Sequence, residues 1–266
     1  MSLKAFKGIA VASCAALVVA ACGGSSGGGR SVPTKVVSAT SSLGAIVGAT
    51  CTIAPANNPG NILDTGTTNT SGLVSWDVPE STGPVIVSCS GGSYYDEAAN
   101  AFIALSGTVR SIAPSTATSV AITPLTDLAT IAAERAGGVI TDDLVNSAAR
   151  AVGSYFGVQD IFGAPQVVND AGDLSGLTGD NAGVYAAVLA GLSDIGATGG
   201  GNAESALSRL QADLQADDDL GDDITRNQID ASTNNRAAGT AASGPAASNQ
   251  AAPNRNSGSI QPTGAG

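Results

Sequence analysis

Three short runs of strict alternation limit what this chain can become. Val47, Ala49, Cys51 and Ile53 fall on one side of an extended segment, with Gly48, Thr50 and Thr52 on the other. Val74, Trp76 and Val78 alternate with Ser75 and Asp77, and Val85, Val87 and Cys89 with Ile86 and Ser88. A side-chain period of two suits a strand with one buried face, whereas a helix would spread the same residues around its circumference. Shorter runs at 102–105, 107–112 and 119–122 continue the pattern. Turn chemistry separates them: Pro55-Ala56-Asn57-Asn58-Pro59-Gly60, Asn69-Thr70-Ser71-Gly72 and Ser90-Gly91-Gly92. About seven short strands over residues 35–122 predict an antiparallel β-sandwich. Aromatic residues make up only 3% of the chain, so its core is built from small and aliphatic side chains and would gain from a covalent staple.

The cysteines bear on that staple. Lys4 and Lys7 precede an uncharged apolar run from Gly8 to Ala21, and small residues lead into Cys22. The run is short for a membrane span, which takes roughly 20 apolar residues. This order is that of an export signal, over residues 1–21, with a small-residue cleavage site. Cys14 leaves with the signal, so Cys51 and Cys89 remain beyond Cys22. In an oxidising compartment a lone pair of thiols is expected to form a disulfide. Closing a loop of this size stabilises by up to ~4 kcal/mol in the chain-entropy model. Two separate buried thiols are the alternative.

Val19-Ala20-Ala21-Cys22 resembles the lipobox of bacterial lipoproteins. The resemblance implies that the Cys22 thiol carries diacylglycerol, that the signal is cut before it, and that fatty acids such as palmitate hold the protein on a membrane. Each buried CH₂ adds about 0.8 kcal/mol, so two or three chains suffice for stable anchoring. An ordinary cleaved signal with an incidental Cys22 is the alternative. Gly23, not Asp, follows the cysteine, which in the enteric sorting rule of that family resembles outer-membrane placement. Residues 22–34 then read as a Gly/Ser linker. Gly23-Gly24-Ser25-Ser26-Gly27 matches the G-x-S-x-G hydrolase pattern. That pattern has meaning only on a strand-to-helix turn with a histidine elsewhere, and the chain has no histidine.

A second resemblance lies inside the β region. Thr68-Asn69-Thr70-Ser71-Gly72-Leu73-Val74-Ser75-Trp76-Asp77-Val78-Pro79 is similar to the T-D-x-x-G-x-φ-x-φ-x-φ-P stretch of carboxypeptidase regulatory-like domains, which are transthyretin-type sandwiches. Val85 to Asp96 is similar to the strand that follows and its s-G-G-x-Y-x-D corner. Asn69 stands where Asp is commoner. The resemblance implies an accessory module that supports or binds, without catalysis of its own.

Helices begin at Thr123-Pro124, a threonine N-cap with proline at the first helical position. Leu125, Leu128, Ile131 and Ala132 form its apolar stripe, up to Gly137-Gly138. Thr123 to Ala129 is similar to a T-P-L-T-x-L-A stretch that follows such β domains in other bacterial envelope lipoproteins. Thr141 caps a second helix, with Asp142 and Asp143 at its positive end and Leu144, Ala148, Val152 and Phe156 on one face. A third is expected from about Asp180 to Ile195 and a fourth from about Asn202 to Ala216, separated from the second by the loop 157–179. The predicted fold is therefore α+β: an Ig/transthyretin-like sandwich over 35–122, a helical region over 123–238, and a disordered tail over 239–266 rich in Ala, Ser, Gly, Asn and Pro.

Charge and residue types narrow the chemistry. The chain has 22 acidic and 11 basic residues, a net charge of −11. Loss of Lys4 and Lys7 with the signal takes the mature chain to −13 and leaves Lys35 as its lysine. Such a chain repels nucleic acid and anionic lipid surfaces. Without histidine, Ser-His-Asp and Cys-His catalysis and histidine-ligated zinc are excluded, and no Gly-Lys pair is present for a P-loop. Carboxylates remain. Asp96 and Glu97 follow two tyrosines at a strand end, where a solvated corner is the simplest state. As a glycosidase pair they would need to face each other across a cleft. Asp217-Asp218-Asp219-Leu220-Gly221-Asp222-Asp223 offers Asp217, Asp219, Asp222 and Asp223 as weak calcium candidates, although the EF-hand register fails, with Gly221 at position 5 and Gln228 at position 12. The expectation is a lipid-anchored cell-envelope protein that acts as a non-catalytic structural or binding module. It would use no cofactor, and its partners would be the membrane and an envelope protein or polysaccharide. A carboxylate-type hydrolase of envelope polysaccharide or peptidoglycan is the alternative.

Overall fold

The computed structural model describes residues 32–170, 172–238 and 258–259. Residues 1–31, with the expected signal, Cys22 and most of the expected linker, lie outside them. The architecture is α+β, a sandwich followed by helices. Its strands are β1 (Thr34–Ser41), β2 (Thr50–Pro55), β3 (Asp64–Thr67), β4 (Leu73–Pro79), β5 (Val85–Ser90), β6 (Ser93–Asp96), β7 (Ala101–Ala104), β8 (Thr108–Ala113) and β9 (Ser119–Ile122). One sheet runs β4-β1-β9, with β1 antiparallel to β4 and parallel to β9. The other runs β3-β2-β5-β8, antiparallel throughout. β6 and β7 form a separate ribbon.

The alternation is realised as burial. On β4, Val74, Trp76 and Val78 are buried while Leu73, Ser75 and Asp77 face out. Cys51 and Cys89 lie directly opposite each other on β2 and β5, buried, with Cα atoms 4.1 Å apart and a disulfide formed. Where β3 approaches β4, a Cβ on Gly66 would come within 2.5 Å of Val74 Cγ2, so only glycine fits. In the turn before β4, Asn69 Oδ1 accepts from the N–H groups of Ser71 (2.8 Å) and Leu73 (3.0 Å). An aspartate would supply the same acceptor, which accounts for the Asn at this position.

The helices are α1 (Pro124–Arg135), α2 (Asp142–Phe156), α3 (Asn181–Thr198), α4 (Ala203–Asp217) and α5 (Arg226–Ala238). Thr123 caps α1 in a capping box with Thr126, and Thr141 caps α2. α3 is the central helix, apolar and buried on almost every side. Its Tyr185 hydroxyl bonds Thr123 Oγ1 and also reaches the Ile161 carbonyl, tying α3 to the start of α1. α5 crosses α3 so closely that a Cβ on Gly191 would lie 2.9 Å from the Thr233 backbone nitrogen. Change from strand to helix falls at Thr123, yet the core does not break there. One cluster runs from Val37 and Ile53 through Ile112 and Leu128 to Leu192, Leu210 and Ile229.

Several elements lie beyond those anticipated. β1, β3 and α5 were not expected, and β6 occupies what the sequence suggested as a corner. In the stretch read as a disordered tail, Gly258–Ser259 forms a short strand, β11, that pairs with β10 (Asp219–Leu220). The rest of the tail lies outside the described residues. No single helix among the described residues is long and apolar enough to cross a membrane.

Candidate functional site

β6 delivers Tyr94, Tyr95 and Asp96 in succession, and Glu97 follows where the ribbon turns toward β7. Both carboxylates are buried, Asp96 at 1% exposure and Glu97 at 4%. This corrects the expectation of a solvated strand end. The cover comes from far along the chain. Asp96 Oδ1 accepts from Ser193 Oγ on α3 (2.8 Å) and from the Ala99 N–H (2.9 Å). Asp96 Oδ2 accepts from the N–H of Ala203, the first residue of α4 (3.1 Å). A negative charge at that helix N-terminus meets unpaired donors and the positive end of the dipole. Ser193 Oγ also accepts from the Ala98 N–H (3.0 Å). Asp96 and Ser193 therefore lock the β6–β7 turn to both α3 and α4.

Glu97 has a different state. Its Oε2 is buried without a hydrogen-bond partner. Burial, reinforced by the charge of Asp96, pushes its pKa up to about 8, against the opposing pull of its own and the Gly44 backbone N–H and of Arg236. The Arg236 guanidinium pairs with Asp194 on α3, Nε to Oδ2 at 2.6 Å. Glu97 is thus held as a neutral acid at neutral pH. A second buried acid, Asp127 in the first turns of α1, is pushed up to about 6, chiefly by burial. It accepts from the Arg110 backbone N–H at 3.0 Å and faces the Arg110 guanidinium at 3.5 Å.

The acidic run after α4 does not converge. Asp217 Oδ1 accepts from the Asp219 N–H (3.2 Å), and Asp219 Oδ1 from the Leu220 N–H (2.8 Å). Asp223 takes Arg209 on both oxygens, at 2.7 and 2.8 Å, which holds its carboxyl below the usual range. Asp222 contributes its backbone N–H to Asp213 at 3.2 Å. Among the described residues, no three Asp, Glu, Cys or His side chains stand where they could hold a metal ion.

Two surface clefts lie among the described residues of the helical region. One of about 390 Å³ lies between α3, α4 and α5, lined by Ile195, Thr198, Arg209, Gln228 and Ser232 among others. A smaller one of about 220 Å³ is lined by Gln159, Asp180 and Asn181 among others. Neither is lined by a carboxylate pair, and Asp96 and Glu97 line neither. No known family model, curated protein or solved structure matches the chain.

Proposed function

We propose that the chain is a lipid-anchored protein of the cell envelope, attached through Cys22 and placed on the outer membrane. Its body would be a non-catalytic binding or structural module with a sandwich of the carboxypeptidase regulatory-like kind. The observation that carries the non-catalytic reading is the use made of the acid pair. Asp96 spends both oxygens on Ser193, Ala99 and Ala203, joining ribbon to helices. Glu97 beside it is closed off from solvent. A hydrolytic pair must reach substrate and water across a cleft. The lipobox and the small-residue linker support the anchored reading.

Cys22→Ser tests the anchor. Wild-type protein should fractionate with membranes and incorporate labelled palmitate. The variant should be released or remain unprocessed, and should take up no label. Normal labelling of Cys22→Ser would overturn the assignment.

A further inference from the structure

The β6–β7 ribbon leaves one edge open. Leu105 N–H donates to the Gly92 carbonyl at 3.1 Å, which makes Gly92 and Leu105 a bonded pair. The register of the ribbon is Tyr94↔Ile103 and Tyr95↔Phe102. Bonded and non-bonded pairs alternate in an antiparallel ladder. Ile103 therefore bonds to β6, while the N–H and C=O of Phe102 and Ala104 turn outward. Two residues further on, the Ser106 N–H also turns outward, and there the Glu204 carboxylate of α4 receives it at 3.0 Å, together with the Gly107 N–H at 2.8 Å. Glu204 thus caps the edge at one end and leaves Ala101–Ala104 uncovered. Phe102 is 57% exposed, and Ala101 and Ala104 are exposed too. Natural edge strands are guarded by shortness, charge, proline or bulges; β7 is four residues long but carries no charge, proline or bulge along Ala101–Ala104.

The surroundings select a partner. The Tyr95 ring meets Phe102 edge to face at 5.8 Å. Burial raises the pKa of the Tyr95 hydroxyl, and the carboxylates of Asp170 and Asp173 lie near enough to add to it, with Arg236, already paired to Asp194, as the opposing cation. The whole chain carries −11, so a second copy would meet like charge on approach. We propose that the outer edge of β7 receives an extended, basic segment of another protein as an added third strand. Main-chain bonds to Phe102 and Ala104 would supply the affinity, the Phe102 ring would seat an apolar side chain, and Asp170 and Asp173 would attract lysine or arginine. The inference deepens the reading of the body as a binding module and does not depend on the lipid anchor.

The test uses the full processed chain in detergent with a fluorescent Lys-Val-Lys-Val-Lys-Val peptide followed by anisotropy. Saturable binding is expected, weakening as salt is raised, while a Glu-Val peptide of equal length does not bind. Ala104→Pro removes an outward N–H and spares the ladder to β6. It should weaken binding about tenfold, the size of one lost hydrogen bond. Phe102→Lys should weaken it at least as much, and thermal melts of both variants should match the parent. Binding that survives both substitutions would leave a binding module whose site lies elsewhere, and would overturn the edge assignment alone. Absence of binding, equal binding of the acidic peptide, or dimerisation abolished by Ala104→Pro would overturn it as well.

Discussion

Glu97 shows how one side chain can carry a pH dependence for the whole fold. An unperturbed glutamate titrates near 4.5, and in the fold Glu97 titrates at about 8. Below 4.5 it is protonated whether the chain is folded or not. Between the two values the folded chain keeps a proton that the unfolded chain has released, so rising pH favours unfolding. Above 8 both states are charged and the penalty is complete, up to roughly 5 kcal/mol. Glu97→Gln should remove this slope. Its melting temperature should exceed that of wild type by several degrees at pH 8.5, and the two curves should meet near pH 4.5. Parallel curves across that window would show that the acid is not held neutral. Asp96 beside it serves as a joint, accepting from three donors. Asp96→Ala strands the Ala203 N–H and Ser193 and should cost about 3 kcal/mol in denaturant titration.

At the scale of elements, α5 is held by polar contacts and a close crossing more than by an apolar stripe. Arg226 at its start donates to the Ser154 and Tyr155 carbonyls at the end of α2. Gly191 lets Thr233 lie against α3. Gly191→Ala should push the helices apart and cost about 1–3 kcal/mol, with increased amide exchange over α5 first. Unchanged exchange there would show that the crossing is not tight. This helix also marks the limit of what periodicity can reveal. α1 to α4 were legible because threonine, aspartate and asparagine caps precede stripes such as Leu125, Leu128 and Ile131. α5 buries Arg226, Ile229 and Thr233, which no hydrophobic pattern picks out. A signal was nevertheless present, since Thr225 and Gln228 bond reciprocally as a capping box. The two cysteine-bearing strands were readable from alternation, and their bridge from the pair of thiols left beyond Cys22. β1 was not, because its Val36 is exposed and its buried positions include the small Ala39 and Ser41, whose strand propensity is weak. The joint at Asp96 was illegible for another reason: its partners are 97 and 107 residues away in sequence, and only tertiary contact brings them in.

Across the whole molecule, sandwich and helices share one core, so neither half should unfold alone. Trp76, the sole tryptophan, reports the sandwich, and far-UV circular dichroism reports chiefly the helices. Denaturant curves from the two probes should coincide, and reduction of Cys51–Cys89 should move both midpoints together. Separated transitions would mean that the helices are an independent domain. The β4-β1-β9 arrangement also has a mechanical consequence. β1 is the first strand of the body and lies between two neighbours, bonded to β4 along Thr34–Thr40 and to β9 along Ser38–Ser41. Tension applied along the chain at Thr34 would load both ladders in shear, so their bonds must yield together and cannot peel one by one. If the ladders did yield, the Cys51–Cys89 bond would keep the 38 residues of separation it spans from paying out. Resistance to force is a rate governed by the unfolding barrier, and this strand order raises that barrier against tension from the chain that precedes Thr34.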